Sequence, residues 1–149
     1  QDGVADATNV ADLFAGVGTF SFALARGTKV KAVEGADDQA EALIAARNTA
    51  RRSGIEVEVR DLERRALSAK ELSTLDAVIF DPPRAGAARQ VDNLAVSTVP
   101  KIIAVSCNPA TFARDGAILA DAGYQLQSVT PVDQFPWSRH LELVAVFQR

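Results

Sequence analysis

Short apolar runs alternate with helical stretches along nearly the whole of this 149-residue sequence, and each run stops at polar residues, glycine or proline. That alternation is the strongest constraint on the fold. Strand–helix–strand units bury both faces of a parallel sheet and close through right-handed crossovers. Seven strands are expected, over Val10–Phe14, Val30–Val33, Ile55–Val59, Asp76–Phe80, Lys101–Val105, Tyr124–Thr130 and Leu141–Phe147. Helices are expected over Thr19–Ala25, Asp38–Arg52, part of residues 62–74, Ala87–Val99 and Pro109–Ala122. In the second helix, Ala42, Ala45, Ala46, Thr49 and Ala50 form a small-residue face at helical spacing. The connection from Pro131 to Arg139 shows no helical pattern and suits an antiparallel hairpin at one edge of the sheet. The expected class is therefore α/β, with a mostly parallel, Rossmann-like sheet.

Composition narrows the setting. Residues 1–149 fit one domain with a single core, at 48% hydrophobic and 23% charged residues. No apolar run is long enough to span a membrane. One cysteine cannot form an internal disulfide, so a reducing, cytoplasmic setting is expected. A net charge of −3 argues against a domain that grips nucleic acid unaided. The opening Gln1-Asp2-Gly3, without Met, suggests a fragment.

The chemistry gathers at the carboxyl ends of the strands, where open α/β sheets bind ligands. Gly16 and Gly18 follow the first strand and allow a tight turn with close backbone approach to a ligand. A nicotinamide fingerprint would want a third glycine where Ser21 stands. Glu34 closes the second strand and could hold ribose hydroxyls or simply sit at a helix N-terminus. Asp61 closes the third, as ligand acceptor or N-cap. Asp81, locked between a strand and two prolines, suits an aimed acceptor or a turn cap.

Cys107 follows the fifth strand and precedes a helix, a place that favours a thiolate; a small buried hydrophobe is the plain alternative. His140 and Glu142 straddle Leu141 and share one sheet face, either as a solvated edge or as an acid–base group near Cys107. One histidine and one cysteine make a zinc site unsupported. Arg84, Arg114 and Arg139 are candidates for phosphate contact, or plain surface charge.

Four stretches together carry a resemblance. They are Asp12-Leu13-Phe14-Ala15-Gly16-Val17-Gly18-Thr19-Phe20, Asp81-Pro82-Pro83-Arg84-Ala85-Gly86, Ser106-Cys107-Asn108-Pro109-Ala110-Thr111-Phe112-Ala113-Arg114-Asp115 and Phe135-Pro136-Trp137-Ser138-Arg139-His140-Leu141-Glu142. In order and spacing the chain resembles the catalytic domain of the bacterial S-adenosyl-L-methionine-dependent RNA 5-methyluridine methyltransferases. The resemblance implies a seven-stranded methyltransferase sheet with a reversed last strand, Cys107 as nucleophile and Glu142 as general base. It places cofactor contacts at Phe14, Thr19, Glu34, Asp61 and Asp81, beside the glycine turn of Gly16 and Gly18. Ala15 stands where many members have a non-catalytic cysteine. Members also carry an N-terminal RNA-binding portion, often an oligonucleotide-binding domain and in some an iron–sulfur (4Fe-4S) cluster, which this chain lacks.

The implied substrate is a uridine in RNA, single-stranded or flipped out, with 23S rRNA expected ahead of tRNA and no obligate protein partner. Arg84, Arg114, Arg139 and His140 would face that RNA. Two other readings compete. An amino-group methyltransferase would use the Asp-Pro-Pro turn, but Arg84 replaces the aromatic such enzymes favour and Cys107 has no role. A non-catalytic module of the same fold could scaffold RNA or protein.

Overall fold

The computed structural model describes residues 6–50, 54–133 and 141–149. Along the chain run β1 (Asn9–Leu13), α1 (Thr19–Leu24), β2 (Lys29–Glu34), α2 (Asp37–Thr49), β3 (Ile55–Val59) and α3 (Ala69–Leu72). Then come β4 (Ala77–Phe80), α4 (Ala88–Val96), β5 (Lys101–Ser106), α5 (Pro109–Asp121), β6 (Gln125–Val132) and β7 (Glu142–Gln148). The strands form one sheet in the order β3-β2-β1-β4-β5-β7-β6. The first five pair in parallel, whereas β7 pairs antiparallel with both β5 and β6. The α/β, mostly parallel architecture with a reversed last strand is thus as expected.

Strand alternation sorts the side chains onto two faces. One face carries Ala11, Leu13, Val33, Val78, Phe80, Ile102, Ala104, Ala145 and Phe147 against Val91 and Leu94 of α4 and Leu119 of α5. The other carries Val10, Ala77, Ile79 and Ile103 beside Phe20 and Leu24 of α1, and Val30, Ala32 and Ile55 beside Leu43 of α2. Tyr124 enters the first core, and its hydroxyl donates to the Val99 carbonyl at 2.7 Å, so a buried phenol is satisfied.

Two stretches show how local pattern is used, and one expected boundary needs correction. The alanine face of α2 points to solvent; Ala40 and Leu43 are the buried residues, because a leucine gains far more from burial than a row of methyls. Within residues 62–74 the expected short helix is α3, four residues long, and Ser68 and Glu71 close a capping box at its start. The sixth strand continues through Pro131 to Val132, since the outermost strand leaves the missing N–H of proline without a required partner.

Candidate functional site

The first strand carries a charge that its surroundings resist. Asp12 is fully buried in a run of apolar neighbours; Oδ2 accepts from Ser21 Oγ at 2.6 Å, while Oδ1 has no partner. Burial raises its pKa to about 6; hydrogen bonds from Ser21 lower it, and the charges of Asp81 and Glu34 add to the rise. Asp81, one strand over, is also pushed upward, first by desolvation and then by Glu142. Alternation puts Asp12, Glu34 and Asp81 on the α1 side of the sheet at its carboxyl edge. The result is an acidic site with an unused buried acceptor, which favours a cationic ligand.

Around it the backbone is bent to make room. Phe14 has φ 59, a costly left-handed conformation for an aromatic residue, and Gly16 (φ 56) and Gly18 (φ 91) follow. A Cβ on Gly18 would run into Leu43 and Phe22, so the turn requires glycine. Thr19 opens α1 and is exposed. Glu34 is nearly buried and already binds three backbone amides: Gly16 N at 2.6 Å through Oε2, and Gly35 N and Ala36 N at 2.9 Å through Oε1. It therefore ties the glycine turn to the end of β2.

Asp61 Oδ1 accepts from Glu63 N at 3.0 Å and Arg64 N at 3.2 Å, the capping geometry that was the alternative for this residue. It also lines the cleft. Phe14, Glu34, Gln39, Asp61, Asp81 and Pro82 bound an open cavity of about 470 Å³. Gly35 lets β2 and β3 ends approach, since a Cβ there would lie 3.0 Å from Asp61 Cα. Behind Asp61, the Arg60 guanidinium binds Glu71 at 2.7 Å and holds that carboxyl down at about 2. Sequence reasoning missed Gly35, and it quoted Asp12 without giving it a role; an acid inside the run Val10-Ala11-Asp12-Leu13 was the available signal.

The second half of the site lies across β5 and β7. Cys107, half-buried with a free thiol, sits in a turn closed on both sides by Ser106: Asn108 N donates to Ser106 Oγ at 3.2 Å, and Oγ donates to the Asn108 carbonyl at 3.1 Å. The β5–β7 ladder ends at the pair Ser106–Leu143. Cys107 is the next residue after β5 and Glu142 the first of β7, so both stand at the end of this ladder. Asp81, Cys107 and Glu142 thus meet at one edge.

Of the basic candidates, Arg84 is exposed, and its carbonyl accepts from Asn108 Nδ2 at 3.2 Å. Arg114 turns inward to Asp115 at 2.7 Å. Arg139 and His140 lie outside the described residues. Among the described residues no group of three His, Cys, Asp or Glu could hold a metal ion, and no helix is long and apolar enough to cross a membrane.

Residues 4–149 match the profile of the family described as tRNA (Uracil-5-)-methyltransferase. The chain belongs to this family. An uncharacterized RNA methyltransferase of Rhizobium meliloti (strain 1021) is 55% identical over 98% of the chain and 35% of its own length. The 23S rRNA (uracil(1939)-C(5))-methyltransferase of Shewanella denitrificans is 38% identical over 93% of the chain and 31% of its own length. Among solved structures, Pyrococcus abyssi tRNA (uracil-54, C5)-methyltransferase in complex with S-adenosyl-L-homocysteine superposes with a TM-score of 0.83. It is 36% identical over 94% of this chain and 34% of that one. The chain spans about a third of the length of these family relatives.

Proposed function

We propose that this domain methylates carbon 5 of a uridine in RNA with S-adenosyl-L-methionine, using Cys107 as nucleophile and Glu142 as general base. The observation that supports this reading is the end of the β5–β7 ladder, where Cys107 follows β5 and Glu142 opens β7 beside an acidic, glycine-turned cleft. The cleft fits the cofactor. The carboxylates of Glu34 and Asp81 on its lining, with Asp12 buried beneath them, suit its positive charges, and Glu34 and Asp61 at neighbouring strand ends suit its ribose. When bound, the cofactor supplies an electrophilic methyl group.

The protein's own residues do the rest. Carbon 5 of uracil is a weak nucleophile, so the Cys107 thiolate adds to carbon 6 and drives electron density to carbon 5. Carbon 5 takes the methyl group, Glu142 removes the carbon 5 proton, and the electron pair of that C–H bond expels the Cys107 thiolate from carbon 6. The base must leave its stack to reach this edge. Arg84, Arg139 and His140 are the proposed RNA contacts, whereas Arg114, a phosphate candidate by sequence, is engaged by Asp115. Portions of the longer protein outside this chain would add most of the RNA grip, consistent with the net charge of −3. An iron–sulfur cluster would draw its cysteines from there too, since this chain has only Cys107.

For the target we favour 23S rRNA ahead of tRNA, and a cytoplasmic setting. Assaying both RNA classes from a strain lacking the enzyme separates the targets. The mechanism is tested in the full-length protein with Glu142→Gln, which keeps size but removes the base. That variant should accumulate a covalent protein–RNA species on a denaturing gel, lost when Cys107 is also replaced. Normal turnover by Glu142→Gln, or an adduct that survives Cys107→Ala, rejects the assignment.

A further inference from the structure

The loop after β4 and the turn after β5 are joined by side chains that the chemistry above does not use. Asn108 caps α5, its Oδ1 accepting from Ala110 N at 3.0 Å, which directs Nδ2 to the Arg84 carbonyl at 3.2 Å. About two helical turns further on, buried Asp115 accepts from Ala87 N at 3.3 Å through Oδ2. Its Oδ1 binds Arg114, at 2.8 Å from Nε and 2.7 Å from Nη2. Arg114 Nη2 also reaches the Ala85 carbonyl at 3.5 Å. Between these anchors Gly86 has φ +82, and a Cβ there would lie 2.5 Å from Arg114 Nη2 and 3.0 Å from Asp115 Oδ2. The loop therefore lies against α5 at a distance only glycine permits.

At its other end the same loop is fixed to the cofactor side. Asp81 N donates to the Leu13 carbonyl at 3.2 Å, one residue before the strained Phe14. A continuous path of bonds runs from the glycine turn, through Asp81 and Arg84, to Asn108 and so to Cys107.

We propose that Asn108, Arg114 and Asp115 are positioning residues that lock the Asp81–Ala87 loop to the Cys107 turn, so that nucleophile and cofactor cleft keep one fixed spacing. This rests on the nucleophile assignment for Cys107. Arg114 thereby has a role inside the protein that plain phosphate contact does not describe. Misplacing a reacting group by about an ångström costs roughly a hundredfold in rate while leaving ground-state binding largely intact, so the unit acts on turnover.

The test uses the full-length protein and four variants. Asn108→Asp and Asn108→Ser keep an N-cap acceptor for Ala110 but cannot make the same donation to Arg84. Arg114→Ala removes the bridge, and Arg114→Lys restores charge without the fork. The expected result for both Asn108 variants and Arg114→Ala is kcat lower by roughly ten- to a hundredfold, with S-adenosyl-L-homocysteine affinity and RNA KM within about threefold and Arg114→Lys only partly rescued. Unchanged kcat in the Asn108 variants overturns the proposal. So does a raised RNA KM at unchanged kcat in Arg114→Ala, which would mark a phosphate contact. Cys107→Ala, assayed alongside, separates the two ideas. If it is inactive, any failure above is the brace's alone; if it turns over, the nucleophile assignment falls and the brace falls with it.

Discussion

Ser21 and Asp12 share one short hydrogen bond, 2.6 Å from Oγ to Oδ2, yet the other oxygen of that carboxylate is buried without a partner. A carboxyl held at about 6 rather than 3.8 binds its proton more tightly folded than unfolded. It therefore stabilises the fold at low pH, and that contribution is lost as pH rises from about 4 to about 6. The difference in unfolding free energy between the wild-type chain and Asp12→Asn should fall by up to about 3 kcal/mol across that window. Denaturant titrations at several pH values measure it. A flat difference would mean that folding leaves the affinity of Asp12 for its proton unchanged.

Cofactor binding should also release protons. A cation entering the cleft favours the charged forms of Asp12 and Asp81, both raised first of all by burial. Calorimetry near pH 6 in buffers of different ionisation enthalpy should show net proton release on binding S-adenosyl-L-methionine. The release should be absent near pH 8 and smaller in Asp12→Asn. Equal heats in all buffers near pH 6 would disprove the coupling.

Glu34 serves the turn and the ligand together, so its replacement should cost both. Glu34→Gln leaves one of three amide donors facing an NH₂ group. Leaving a buried donor unsatisfied costs about 1–3 kcal/mol. Thermal melting should drop, and cofactor affinity should weaken by at least about tenfold. A variant with the parent's melting temperature but weak binding would assign Glu34 to the ligand alone.

Gly18→Ala should destabilise the chain by about 2–4 kcal/mol, because the added carbon meets Leu43 and Phe22 in a left-handed backbone. Gly27→Ala, with nothing within 4 Å, is the control and should shift little. Equal melting temperatures for the two would refute the packing account.

Much of the fold was legible because its strands are short apolar runs punctuated by Gly, Pro and acids, as at Phe80-Asp81-Pro82. What escaped was set by tertiary context. The alanines of α2 carry helical periodicity, but burial was decided by Leu43, whose larger surface had more to gain. Pro131 reads as a strand stop until β6 is known to be outermost. In the site, strand-end acids were readable one by one. Their sharing of a face with Glu142 depends on β7 entering between β5 and β6, which no local pattern encodes. Asn108 reads as a turn residue; that it caps α5 and reaches Arg84 with its other side-chain atom is visible only in three dimensions.

The place of β7 also sets an order of events. A growing chain meets its partners as they emerge, and domains assemble from the N-terminal side. β1 to β4, with the glycine turn, Glu34, Asp61 and Asp81, are available by Pro83 and can enclose the acidic cleft. β5 then waits with one bare edge through α5 and β6 until residues 142–148 arrive to cover it. A chain cut short before Glu142 would keep its acidic cleft, carry Cys107 without Glu142 beside it, and present an apolar edge strand ready to pair with a neighbour.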